Sequence, residues 1–415
     1  MSSIGLQVTA SIADRWRELS GEKSWNGLLN PLDIDLRRSI INYGDRATAI
    51  GNAFNNTSLR STNCCGFSRY APRDFFSKTG IQTTNPYKYQ VTDFIYGEVE
   101  AKILALDDSE STWSAYVAVA TNEGKALLGR RDIVVSWRGT LLSVEWLKDF
   151  EPELISAPEI FGNDVAKMHM GFHSLYTAKD DKSTYSKTSA RDQALAAVSK
   201  LVDQYKDEEI SITVTGHSLG AAIATVNALD IVVNGYNKTT GEQNKAFPVT
   251  AIVFASPRVG DTNFKTLCEG LEDLHVLRVT NEKDIVPHLP LYIPPCFGFK
   301  HVGEELRIDT RKSPYVKTMK DLCSFCPTPA RLWRVNNLGA LGDFHNLELY
   351  IHGVAGTQGS EGGFNLEVDR DIALVNKDLD GLKDEYNIPA GWWGIEDNKG
   401  MVLGDDGRWR LLSSA

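Results

Sequence analysis

The segment ISITVTGHSLGAAIATVNALD, residues 210–230, constrains the fold more than any other stretch of the chain. An apolar, β-branched run reaches Gly216, the residues His217, Ser218, Leu219 and Gly220 follow, and an alanine-rich run begins. The first part has the pattern of a buried strand and the last that of a helix, stopped by Asn234-Gly235. By composition alone, Gly-x-Ser-x-Gly arises in about one chain in seven of this length. A strand before it and a helix after it raise its meaning, because they predict a nucleophile elbow with Ser218 in a strained backbone conformation. In such a turn strand and helix pass so close that side chains at positions 216 and 220 would clash. Gly216 and Gly220 fit that demand, and Ala221, Ala222 and Ala224 keep the helix slim against the sheet. The turn would lift the Ser218 hydroxyl above the sheet edge. It would also aim the helix N-terminus at the reacting centre, making the Leu219 backbone N–H a candidate oxyanion donor.

The flanking sequence extends this strand–helix alternation. WSAYVAVAT (113–121), RRDIVVSWRGT (130–140), VTAIVFASP (249–257) and HVLRVTN (275–281) read as strands. RDQALAAVSKLVDQYKDEE and TNFKTLCEGLE read as helices. So does a segment starting just after Pro31, where Leu36, Ile40, Tyr43, Ala47, Ile50 and Phe54 share one face. Nearly all-apolar strands alternating with helices predict an α/β fold whose mostly parallel sheet is covered on both faces, and the expected elbow makes it one of the α/β-hydrolase type. The expected organisation is an N-terminal helical extension over 1–95, a core over 96–355, and a C-terminal extension over 356–415. The last carries a hairpin turned at Gly404-Asp405-Asp406-Gly407.

A nucleophilic serine needs a base, and the base needs an orienting acid, in the order Ser, acid, His on this fold. The histidines after Ser218 are His275, His288, His301, His345 and His352. His275 sits inside an apolar strand and His301 in the strand-like FKHVGEEL. His352 precedes Gly353, where a partner for a helix dipole is the simpler reading. His345 opens the helix-like HNLELYIHG after the loop LGALGDF, a place from which an imidazole could overhang the sheet. Among the acids, Asp230 lies at the far end of the elbow helix, whereas Asp261 and Asp284 each follow a strand. Chain order alone leaves those two open.

Composition narrows the function. A net charge of −10, from 54 acidic and 44 basic residues with no long basic run, argues against a nucleic-acid groove and against general attraction to anionic lipid. No apolar run approaches the roughly 20 residues of a membrane span. The N-terminus lacks the pattern of a secretory signal, so a cytoplasmic location is expected. In that compartment Cys64, Cys65, Cys268, Cys296, Cys323 and Cys326 are free thiols. Cys323-Ser-Phe-Cys326 has zinc-like spacing but no second pair, and no metal or cofactor is expected.

VVSWRGT, HMGF, VTGHSLGAAIA, FASPRVGD, RVTNEKDIVPHLP and FHNLELYIHG resemble, in order and spacing, the class 3 (fungal-type) lipases. WRELSGEKSWNGLLNPLDIDLRRSIINYGDRATA and the C-terminal RDIALVNKDLDGLKDEY, GWWGIEDNKGMV and DGRW are similar to the plant phospholipase A1 family, class II. This resemblance places the family's nucleophile on Ser218, its acid on Asp284 and its base on His345. It places a second oxyanion donor on Thr140 and a lid on LLSVEWLKDF, 141–150. Leu142, Trp146 and Phe150 recur there at i, i+4 and i+8, the spacing of a short amphipathic helix that covers the site in water and opens against lipid. His169 and His173 flank MGF near the site, with no chemistry assigned. The implied activity is hydrolysis of the sn-1 acyl ester of phospholipids such as phosphatidylcholine, with transient contact to lipid surfaces. The alternatives are a lipase preferring mono- or diacylglycerols or galactolipids, and an inactive lipid-binding or signalling family member.

Overall fold

Seven strands form one sheet whose spatial order follows chain order: β1 (Tyr89–Gly97), β2 (Thr112–Ala120), β3 (Arg131–Trp137), β4 (Ile210–His217), β5 (Val249–Phe254), β6 (Leu274–Asn281) and β7 (Glu304–Ile308). The first three pair antiparallel, and β3 through β7 are all parallel. The computed structural model describes residues 4–55, 66–98, 111–139, 153–290, 298–317, 344–359, 362–394 and 398–412.

Alternation along the strands supplies both faces with core. Val117, Ile133, Val135, Ile212, Val214 and Val253 point to one side. There they meet the helices α3 (Met170–Thr177), α4 (Ala190–Gln204) and α5 (Leu219–Val233). Tyr116, Val134, Ile252, Phe254 and Val279 point to the other side, against α1 (Ile4–Leu19), α2 (Ile34–Ala53) and α7 (Leu347–Gly356). Between them in the chain, α6 (Thr262–Glu269) links β5 to β6. The apolar face expected on α2 is real: Leu36, Ile40, Tyr43, Ala47, Ile50 and Phe54 are all buried in this second layer. Asp33 starts that helix by accepting from the backbone N–H groups of Asp35 and Leu36.

Element ends differ from the sequence reading in instructive ways. β3 stops at Trp137, so Arg138 and Gly139 already belong to the loop toward the site. α5 starts at Leu219, two residues before the alanine run, because Ser218 itself occupies the capping position. β1 has an irregular burial pattern and two register shifts, which obscured it in the sequence. The boundary expected at 95/96 falls inside β1, and that at 355/356 falls inside α7. The C-terminal hairpin pairs Met401–Leu403 with Trp409–Leu411, and Trp409 packs on Trp392 and Trp393. Among the described residues no helix is long and apolar enough to cross a membrane.

Candidate active site

At the end of β4 the chain turns through Ser218, whose φ of 59° and ψ of −125° lie in a region that non-glycine residues rarely adopt. Holding it there costs about 1–3 kcal/mol, supplied by the surrounding packing. The Ser218 N–H donates to the Phe254 carbonyl at 3.0 Å, which ties the elbow to β5. A Cβ on Gly216 would stand 2.4 Å from the Gly220 carbonyl oxygen, and one on Gly220 would stand 2.4 Å from that of Trp137. Both glycines are therefore required by close backbone approach, and Ala221, Ala222 and Ala224 are fully buried beneath the turn. Leu219 is the first residue of α5, where a helix leaves its N–H without an intrahelical partner.

Three side chains from distant parts of the chain converge on this turn. The Ser218 hydroxyl lies 2.8 Å from Nε2 of His345, and Nδ1 of His345 lies 2.7 Å from Oδ2 of Asp284. Asp284 is fixed from two more sides: the Val286 N–H donates to Oδ1 at 2.9 Å and the Tyr350 hydroxyl donates to Oδ2 at 2.6 Å. With the carboxylate accepting the Nδ1–H, Nε2 is left to accept from the serine hydroxyl, the tautomer a general base needs. His345 does not begin a helix. It sits one residue before Asn346, which caps α7 by accepting from the Leu349 N–H.

Four further residues position this constellation, and the sequence reading had singled out none of them. The Asn281 N–H donates to the Tyr350 hydroxyl at 3.1 Å, and the Asn281 side-chain amide donates to the Phe344 carbonyl at 3.0 Å, just ahead of the base. Burial, with the charge of Asp284, pushes the Tyr350 phenol well above its ordinary value, so it remains a donor. Nε2 of His217 donates to the backbone carbonyl of His345 at 2.7 Å, with the two rings 4.5 Å apart. Burial and the neighbouring His345 hold His217 well below the usual histidine range, so it is neutral here. Arg138 anchors the loop leaving β3: its Nε donates to the Trp113 carbonyl at 2.8 Å and its guanidinium covers the Phe54 ring. Burial pushes its pKa down to about 10. The available signals were weak: His217 directly precedes the expected nucleophile, and Tyr350 follows the expected base by five residues.

The rejected candidates have other partners. Asp261 caps α6 by accepting from the Phe264 N–H at 2.8 Å. Asp230 is buried against Arg191 and Tyr176. His275 packs edge-on against Trp25, and His301 precedes β7 and donates to the Pro287 carbonyl. His352, read as a partner of a helix dipole, lies four residues before the end of α7 and bonds to the Ser313 hydroxyl. Burial holds it down to about 3, so it carries no charge with which to serve a dipole. His169 stacks on Phe172, and His173 pairs with Glu159. Thr140, the segment with Leu142, Trp146 and Phe150, and every cysteine except the buried Cys268 lie outside the described residues. Among the described residues no group of three His, Cys, Asp or Glu is placed to hold a metal ion.

Residues 134–293 match the family described as Lipase (class 3). The chain is 49% identical to phospholipase A1-IIgamma of Arabidopsis thaliana, over 98% of this chain and 94% of that protein. It is 47% identical to phospholipase A1-II 4 of Oryza sativa subsp. japonica, over 97% and 96%. Among solved structures, the triacylglyceride lipase of Rhizomucor miehei is similar over 65% of this chain and 79% of that one, at 22% identity and a TM-score of 0.42. Relatives of such identity over nearly their whole length show that the chain belongs to the phospholipase A1-II family of class 3 lipases.

Proposed function

We propose that this chain is a serine acylhydrolase of glycerophospholipids that cleaves the sn-1 ester. The observation that carries the reading is the unbroken relay Ser218–His345–Asp284, with contacts of 2.8 and 2.7 Å, set on a strained elbow. Its occurrence in a chain of the phospholipase A1-II family supports the substrate class. Ser218 Oγ attacks the ester carbonyl while its proton passes to His345 Nε2. The tetrahedral oxyanion collects the Leu219 N–H and a donor from Thr140. As the carbonyl re-forms, His345 returns the proton to the departing lysophospholipid alcohol. Water, deprotonated by the same imidazole, then attacks the acyl-enzyme carbonyl; the bond to Ser218 Oγ breaks, Oγ takes the proton back from His345 Nε2, and the fatty acid leaves. Asp284 orients the ring throughout.

The segment 141–150 acts as the lid. Its support is the apolar repeat of Leu142, Trp146 and Phe150 among Glu145, Lys148 and Asp149, which gives an acidic protein a local foothold on lipid. The chain works from the cytoplasm; cell fractionation tests that, and recovery in a secreted or organellar fraction sinks it. Product analysis on a phosphatidylcholine with different acyl chains at its two positions tests the activity. The expected result is release of the sn-1 acid alone, abolished by Ser218→Ala. Faster turnover of diacylglycerol or galactolipid would favour the lipase reading, and no turnover or probe labelling of Ser218 would favour a lipid-binding one.

A further inference from the structure

His345 stands between Phe344 and Asn346, outside any helix or strand, so its neighbours decide where its imidazole points. The sheet holds the backbone of this stretch: the Asn281 side chain donates to the Phe344 carbonyl and His217 donates to that of His345. The side chains beside the base are held by the C-terminal extension instead. Phe344 is buried in an apolar cluster with Leu349, Val316, Val375 and Leu382. Glu348, on the first turn of α7, is 2% exposed. Its carboxylate lies 2.5 Å from Nη2 of Arg370 and 3.5 Å from Nζ of Lys377. One segment of chain thus meets side chains on both sides of the base.

That segment is itself tied down. Asn376 Oδ1 accepts from the N–H groups of Gly381 and Leu382 at 2.8 and 2.7 Å, and the Trp392 indole donates to the Ala373 carbonyl at 2.8 Å. Arg370 also reaches Asp45 of α2 at 3.2 Å, and the Lys377 ammonium lies 4.4 Å from the centre of the Trp393 ring. Burial would raise the Glu348 carboxyl, but the charges of Arg370 and Lys377 outweigh it and hold the group below the usual range. The grip on α7 is therefore ionic. Misplacing a catalytic group by about 1 Å costs about a hundredfold in rate, so a reaction run by His345 would feel a loosened grip. We propose that the segment 370–382 braces the catalytic base, and that Arg370 is a positioning residue acting through Glu348 to keep His345 between Ser218 and Asp284. The inference rests on the reading of these three residues as the catalytic relay.

The test uses the full chain and two assays: steady-state hydrolysis of a soluble short-chain p-nitrophenyl ester, and the rate at which a fluorophosphonate labels Ser218. Both are run well below the unfolding midpoint of each variant. Arg370→Met should lower kcat about tenfold with KM unchanged, and phosphonate labelling should slow in proportion. Arg370→Lys keeps a cation beside Glu348 and should recover most of that loss. Adding Glu348→Gln to Arg370→Met should lower kcat by less than Glu348→Gln does alone, because the two act as one unit. Leu382→Ala loosens the apolar contact without touching a charge, and it carries the test if Arg370→Met does not fold; its kcat should also fall at constant KM. Arg408→Met breaks the exposed pair with Asp369 in the same extension and should change neither constant. The brace alone is overturned if the parent works through Ser218 while every folded brace variant keeps kcat within about twofold, or if the losses fall in KM only. An inactive parent, or full turnover by Ser218→Ala, overturns the relay and the brace with it.

Discussion

The Tyr350 hydroxyl and the Nδ1–H of His345 converge on the same oxygen, Oδ2 of Asp284, at 2.6 and 2.7 Å. Tyr350 in turn accepts from the Asn281 N–H, the last residue of β6. The carboxylate is thus held by the strand that precedes it and the helix that follows the base. Its remaining oxygen is closed by Val286. Tyr350→Phe removes one charge-assisted bond and leaves the ring packing. Such bonds contribute about 1.5–3 kcal/mol, so kcat should fall roughly tenfold to a hundredfold with little change in KM. A kcat within twofold of wild type would mean that Tyr350 only fills space.

Asp284 and Asp261 make a paired test of the acid. Asp284→Asn places an amide donor against the donor Nδ1–H and favours the tautomer that cannot take the serine proton. Turnover should drop by about 10⁴. Asp261→Asn keeps a good capping residue on α6, so turnover should stay within about twofold and stability within a few tenths of a kcal/mol. Steady-state rates for both variants decide the matter, and the reverse ranking would remove Asp284 from the relay.

Much of this was readable from the sequence because local and global signals coincide at the elbow. Gly216, Ser218 and Gly220 sit between an apolar strand and a small-residue helix, and each is required where the backbones meet. The helix α2 was legible for the same reason, with one buried face at a 3.6-residue period. The choice between Asp261 and Asp284 was not legible from spacing, because both follow strands and only the three-dimensional path shows which one meets His345. The family resemblance had to supply it. Tyr350, Asn281 and His217 stayed hidden for a further reason: their roles rest on hydrogen bonds between residues far apart in the chain, 69 residues for Asn281–Tyr350 and 128 for His217–His345, which leave no periodic trace.

The glycine positions carry their own prediction. In Gly216→Ala the new methyl group would meet the Gly220 carbonyl at 2.4 Å, and in Gly220→Ala it would meet that of Trp137 at 2.4 Å. Backbone cannot swing aside as a side chain does, so each variant should lose about 1–3 kcal/mol of stability. Each should also lose most activity, because relief comes only by moving Ser218 away from His345. Urea denaturation with parallel assays of the folded fraction reads both effects. Wild-type turnover in either variant would show that the elbow tolerates a wider turn.

Acid stability should depend on histidines outside the relay. Burial holds His352 and His301 down to about 3 and His169 down to about 4, whereas an unfolded chain titrates them near 6.5. Above that value both states are neutral and these groups leave stability unchanged. Below it the unfolded chain takes up protons that the folded chain refuses, so stability falls with pH until the folded values are reached. Each group adds at most about 1.4 kcal/mol per pH unit to that slope. His352→Gln retains a partner for the Ser313 hydroxyl and removes the titration. The variant should therefore lose stability less steeply between pH 6 and 4. Chemical denaturation at several pH values measures the slope, and a variant as steep as wild type would show that His352 is charged in the folded protein.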